Sequence, residues 1–146
     1  MKAAELLSGD GLFVADTSAW WRIPMLPPPL RTLVQQAIRD DRMLLTPVTR
    51  MEILYSARTA KEYAELDARL VRVRMLRNDR AASDAAMAAL RELATRGDGY
   101  HRVPVTDALI AAVVAEQGGL AVLHKDAHFD RLAEVLAFES VSLPIE

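Results

Sequence analysis

Three short runs constrain this chain more than anything else: LFVA ending at Ala15, MLL ending at Leu45 and LAVL ending at Leu123 are apolar at consecutive positions. A strand with an apolar residue at every position has no face for water, so both of its faces must be covered. Between these runs lie longer stretches with helical periodicity. Strands alternating with helices predict an α/β fold, with a parallel sheet between two layers of helices. A length of 146 residues suits one domain spanning residues 1–146.

The remaining elements follow from local signals. The stiff segment IPMLPPPL predicts a connector whose last proline enters the first turn of the helix LRTLVQQAIRDD. A helix is expected from Thr49 through MEILYSARTA and another over KEYAELDARLVRV, while VRMLRN reads as a short edge strand. SDAAMAALRELATRG predicts an amphipathic helix capped by Ser83 or Asp84. TDALIAAVVAEQGG predicts a helix apolar nearly all round, with a glycine stop. DAHFDRLAEVL reads as a helix and ESVSLPI as a last strand.

Composition removes several function classes. The chain has no cysteine, so disulfides, thiolate ligands and cysteine nucleophiles are absent. No apolar run is long enough to cross a bilayer, and MKAAELLSGDGLF has no signal-peptide core, so a cytoplasmic protein is expected. There is no glycine-rich phosphate loop and no Gly-x-Ser-x-Gly elbow. The net charge of -2 conceals an asymmetry: residues 17–80 carry 12 Lys/Arg against 7 Asp/Glu, and residues 81–146 carry 5 against 10. Arg69, Arg72, Arg74, Arg77 and Arg80 fall close together. Arginine's planar fork suits phosphate, but a solvated helix face with pairs such as Glu65–Arg69 explains the cluster equally well.

Four acids interrupt apolar or small-residue segments: Asp16 in LFVADTSAW, Glu52 in VTRMEILYSA, Asp107 in PVTDALIAAV and Asp126 in AVLHKDAHF. Each has a structural explanation. Asp16 or Ser18 can cap the next helix. Thr49 and Glu52 match a capping box. Asp107 can answer a helix dipole behind Thr106 as the cap, and Asp126 can cap a helix with Asp130 one turn on. The functional alternative is joint. Asp16 and Asp126 fall at the carboxyl ends of strands, where open α/β sheets bind ligands. If Glu52 and Asp107 start their helices at that same edge, the four carboxylates need a counter-charge, and a hard divalent cation supplies it. His101, His124 and His128 lack zinc-ligand spacing and read as structural. Trp20-Trp21 reads as packing or an interface.

Taken together, ADTSAWW, TPVTRMEILYSARTAKEY and HRVPVTDALIAAVVAEQGGLAVLHKDAHFDRLAEV resemble the PIN-domain ribonucleases, most closely the VapC toxins of type II toxin–antitoxin modules. The similarity covers nearly the whole chain and is weakest between about residues 65 and 95. The resemblance implies a three-layer α/β/α fold, and an endoribonuclease site at Asp16, Glu52, Asp107 and Asp126 with Ser18 as polar helper. It also implies Mg²⁺ or Mn²⁺ at the four acids, a structured RNA substrate such as tRNA, a cognate antitoxin and a homodimer. One departure stands out: relatives often read Asp-x-Asp-Phe near the last acid, whereas this chain reads Asp126-Ala127-His128-Phe129. Two other classes remain open. One is a non-catalytic PIN-fold protein that binds RNA or antitoxin. The other is an aspartate-based phosphotransfer or phosphatase domain, for which Lys125 invites comparison but Asp16-Thr17-Ser18 lacks the second acid.

Overall fold

The computed structural model describes residues 1–145. Its sheet has four parallel strands: β1 (Phe13–Ala15), β2 (Met43–Leu44), β3 (Ala121–His124) and β4 (Glu139–Ser142), in the order β2-β1-β3-β4. The three fully apolar runs form β1, β2 and β3, and every residue of these strands is buried. Alternate side chains serve opposite faces, as the pleat requires. Val14, Leu44 and Val122 point into one core with α6 (Arg80–Thr95), α7 (Val105–Gln117) and α8 (His128–Leu132). Phe13, Ala15, Met43, Ala121 and Leu123 point into another with α1 (Ala3–Ser8), α2 (Thr17–Trp20) and α3 (Pro28–Arg39). A third cluster, around Leu45, Ile53, Leu66 and Leu70, joins α4 (Pro47–Tyr55) to α5 (Ala60–Leu70) beyond the β2 edge. Fully burying each of the Val, Leu, Ile, Phe and Met side chains among these contributes about 1.5–3 kcal/mol. The three-layer α/β/α architecture is therefore what the apolar runs required.

Strand order determines where a ligand can enter. From β1 the chain moves outward to β2, then returns across β1 to add β3 and β4 on the other side. The winding direction thus reverses between β1 and β3, and the crevice beyond their carboxyl ends is the switch point of the sheet. Asp16 directly follows β1 and its N–H donates to the Leu123 carbonyl at 2.9 Å, so it lies inside that crevice. Asp126 lies two residues beyond β3.

Helix α7 explains how a third acid reaches the same place. Ala108 and Ile110 through Val114 are all buried, so the helix runs through the interior and not over the surface. Its C-terminus stops at Gly118 and Gly119, whose φ of 67° and 69° are in the left-handed region that favours glycine. Its N-terminus opens at the carboxyl edge of the sheet and carries Asp107.

Some local expectations are corrected. Helix α4 begins at Pro47, and Thr46 caps it by accepting the Thr49 N–H at 3.1 Å, so Thr49 and Glu52 form no capping box. Pro104, not Thr106, precedes α7, which makes Asp107 its third residue. Asp79, not Ser83 or Asp84, caps α6 through the Ala82 N–H. VRMLRN makes a single bridge between Met75 and Leu45 instead of a strand, because Val73 and Leu76 are both buried and their spacing breaks a period of two. The five clustered arginines are exposed, and Glu65 pairs with Lys61 at 4.0 Å instead of Arg69. Among the described residues no helix is long and apolar enough to cross a membrane.

Candidate active site

Asp16 is both a helix cap and a member of the acidic group. Its Oδ2 accepts the Ser18 N–H at 3.0 Å and the Ser18 hydroxyl at 2.6 Å, and the carboxylate is buried. Ser18 Oγ in turn accepts the Lys125 N–H at 2.9 Å, so one hydroxyl ties the end of β1 to the segment after β3. The capping and functional readings of Asp16 are therefore compatible. The cap uses Oδ2 alone.

Glu52 lies on the second turn of α4, half-buried, and its Oε1 accepts the Thr17 hydroxyl at 3.0 Å. Burial raises its pKa, the Thr17 hydrogen bond opposes that rise, and the neighbouring Asp16 charge adds to it. The Thr17 hydrogen bond, spanning 35 residues of sequence, holds Glu52 near Asp16, whose charge it senses.

Asp107 carries the clearest electrostatic signature. It is only 7% exposed, and its Oδ2 is buried without a hydrogen-bond partner. Burial pushes its pKa up to about 7, with further upward contributions from Asp16, Asp126 and Glu52; His128 opposes them. One carboxyl thus senses the other three acids. Crowded carboxylates behave this way when no counter-charge is present.

Asp126 Oδ1 accepts the His128 N–H at 3.0 Å, so Asp126 also tethers the start of α8. The His128 ring turns inward. Its Nδ1 lies 2.6 Å from Asp126 Oδ1 and 3.4 Å from Asp107 Oδ2, ion-pair distances for a protonated ring, and Nδ1 is buried and makes no hydrogen bond. Ligand atoms of Asp107, Asp126 and His128 all lie within 4.8 Å of one another. Asp16 and Glu52 form the other side of the group, linked to this trio by charge.

Beneath Asp126 is His124, which is 1% exposed. Its Nδ1 accepts the Asp126 N–H at 3.0 Å, and its Nε2 lies 2.7 Å from Ser140 Oγ, which donates to Asp130 Oδ1 at 2.7 Å. An Nδ1 that accepts a backbone N–H carries no proton, so the ring is the neutral Nε2–H tautomer. Burial lowers its pKa and favours that state. Asp130 thus faces β4 and stays out of the acidic group. Lys125 Nζ is also turned away and donates to the Leu143 carbonyl at 3.2 Å.

All four acids and Ser18 therefore meet at one edge. Thr17, His124 and His128 join them; the sequence pointed to His128 only as the residue standing where relatives carry a further acid, and to Thr17 and His124 not at all, because their partners are set by the fold. Two clefts flank the group. One, of about 450 Å³, is lined by Val48, Met51, Glu52, Tyr55 and Thr106; the other, of about 510 Å³, by His101, Arg102, Pro104 and His128. Buried oxygen donors with an unmet charge and open approaches on both sides suit a hydrated cation and an extended anionic substrate.

Comparisons with known proteins identify the family and the fold. The PIN domain family model matches residues 13–135. Ribonuclease VapC51 of Mycobacterium tuberculosis is 32% identical over 123 residues, covering 84% of this chain and 86% of the relative. Ribonuclease VapC18 of the same organism is 34% identical over 125 residues, covering 85% and 89%. Among solved structures, DNA-bound VapBC from Salmonella typhimurium superimposes with a TM-score of 0.71 at 21% identity, covering 91% of this chain and 98% of that one, a likeness of fold. VapBC-5 of the M. tuberculosis toxin–antitoxin systems gives 0.63 at 25% identity, covering 92% and 100%. The chain belongs to the PIN-domain family, among its VapC ribonucleases.

Proposed function

We propose that this protein is a divalent-cation-dependent endoribonuclease and the toxin of a type II toxin–antitoxin pair, with Asp16, Glu52, Asp107, Asp126 and Ser18 as its active-site residues. The observation that carries the reading is the buried, unpartnered Asp107 Oδ2 among three other carboxylates. The donor set fits Mg²⁺, with Mn²⁺ as the alternative, because both are hard cations that take carboxylate oxygens and keep several waters. Asp16, Glu52, Asp107 and Asp126 would hold the ion. When bound, such an ion lowers the pKa of coordinated water and offsets charge on a phosphate, the chemistry of phosphodiester hydrolysis.

The chain's own residues orient the site. Ser18 fixes the Asp16 carboxylate through two hydrogen bonds, and Thr17 fixes Glu52. His124 holds the Asp126 backbone from below. At neutral pH Asp107 shares a proton with solvent in the absence of a cation, and gives it up when positive charge arrives.

Both mycobacterial relatives bear the name ribonuclease, and the structural neighbours are toxin–antitoxin complexes, which supports RNA as substrate and an antitoxin as partner. The two clefts admit a single strand across the edge, with Tyr55 available for a base and Arg102 for the backbone, so an unpaired loop of a structured RNA such as tRNA is the expected target. We assign residues 1–146 to one domain that acts in the cytoplasm as a homodimer. A phosphoacceptor role loses support because Lys125 Nζ is occupied at Leu143 O. Asp16→Asn and Asp107→Asn should each abolish Mg²⁺-dependent cleavage of RNA with the circular-dichroism spectrum unchanged. Full cleavage by both variants would refute the assignment, and calorimetry showing no carboxylate-dependent Mg²⁺ or Mn²⁺ binding would favour a non-catalytic RNA-binding protein.

A further inference from the structure

His128 is the residue of the acidic group that the metal reading above does not use. Its Nδ1 is buried, without a hydrogen bond and within 4.8 Å of ligand atoms from both Asp107 and Asp126: the buried, unpartnered Asp107 Oδ2 lies 3.4 Å away, and Asp126 Oδ1, which also accepts the His128 N–H, lies 2.6 Å away. A ring N–H pointing there would hydrogen-bond one of the two oxygens, and Nδ1 makes no hydrogen bond to either. Donor atoms that converge on a point instead of on each other have the arrangement of a coordination sphere: neighbouring ligands of an octahedral ion at about 2.1 Å lie about 3 Å apart. His124 cannot supply the nitrogen, because both its ring atoms already have partners in Asp126 and Ser140.

From this geometry we infer that His128 is a direct nitrogen ligand of the catalytic cation, completing an Asp107–Asp126–His128 set that biases the site toward Mn²⁺ over Mg²⁺. The inference rests on the metal reading of the acidic group and goes beyond it in the ligand and in the selectivity. An all-oxygen site discriminates weakly between the two ions, whereas an imidazole ligand favours the transition metal over strongly hydrated Mg²⁺. The ring's position at the boundary with the His101–Arg102 cleft leaves its other edge open to solvent, so it can coordinate through Nδ1 without burying Nε2.

The test is electron spin-echo spectroscopy of the Mn²⁺-loaded full-length protein, with calorimetry of Mn²⁺ and Mg²⁺ binding. The wild type should show nitrogen-14 modulation of an imidazole ligand, retained in His101→Gln and lost in His128→Gln and His128→Asp. In both His128 variants the ratio of Mn²⁺ to Mg²⁺ affinity should fall by about tenfold. His128→Asp keeps an ionisable oxygen ligand at the position, so its Mg²⁺ binding guards against misreading a general loss of the site. Mn²⁺ binding that depends on Asp107 but shows no nitrogen-14 modulation would overturn the inference and leave the metal reading standing. Absence of Mn²⁺ binding, or binding indifferent to Asp107→Asn, would overturn both.

Discussion

The two sides of the acidic group are built on opposite terms. On the β1 side, Asp16 and Glu52 have their partners from the protein itself: Ser18 supplies two hydrogen bonds and Thr17 one. On the α7–α8 side, Asp107 Oδ2 and His128 Nδ1 are buried with none. A buried polar atom without a partner costs roughly 1–3 kcal/mol, and more when charged. The first side is finished by folding alone. The second is left with a buried carboxylate oxygen that only a proton or a cation can offset.

The sharpest way to break this comparison is to remove one carboxylate from each side. Asp107→Asn should abolish cleavage yet raise the melting temperature of the metal-free protein at pH 8 by several degrees, since it removes a carboxylate ionised among three others. Asp16→Ala should also abolish cleavage but lower the melting temperature, through loss of a helix cap worth ~1 kcal/mol. Thermal melts of both variants in chelator check the opposite signs; equal shifts would remove the distinction between the two sides.

Next in size is the effect of pH. Asp107 has a folded pKa of about 7, raised above the ordinary 3.8, so between those values the folded state binds more protons than the unfolded state. Stability of the metal-free protein from this group is therefore greatest below pH 4 and declines as pH rises toward 7. Binding of Mg²⁺ at pH 6 should release a proton, seen as a binding enthalpy that depends on the buffer, and at pH 8.5 it should not.

A smaller effect is expected at His124. Replacing it by Leu removes the acceptor for the Asp126 N–H and the link to Ser140, so Mg²⁺ affinity should fall by roughly 10–100-fold while the Asp16 side is untouched. Calorimetry measures this directly. Smallest of all, Arg102→Ala should leave metal binding unchanged, weaken RNA binding modestly and reduce its salt dependence by about one charge. Filter binding across a salt series would show it.

Legibility from sequence differed by element. The apolar runs at Phe13, Met43 and Ala121 announced buried parallel strands, because a strand's burial is written in its own consecutive residues. Short-range caps were less readable: Thr46 and Asp79 displaced Thr49 and Ser83, since several Ser, Thr and Asp residues lay within one turn and tertiary packing selected among them. The four acids were visible as charges in apolar surroundings, but each had an adequate local explanation. Asp16 turns out to satisfy its cap while belonging to the group, whereas Ala127 and not Asp126 is the cap of α8, Asp126 only accepting the His128 N–H.

The sequence by itself therefore determined the four strands of the sheet, the longer helices and the covering of the sheet on both faces, because hydrophobic patterning is local and burial follows from it; it did not reveal α1 or the lone bridge at Met75. Only the tertiary structure decided that β1 and β3 are neighbours at the switch point, that buried α7 delivers Asp107 there, and that His128 turns inward between two carboxylates. The physical reason is that charge–charge contact depends on distances in space, which strand order and helix packing set between residues far apart in the chain.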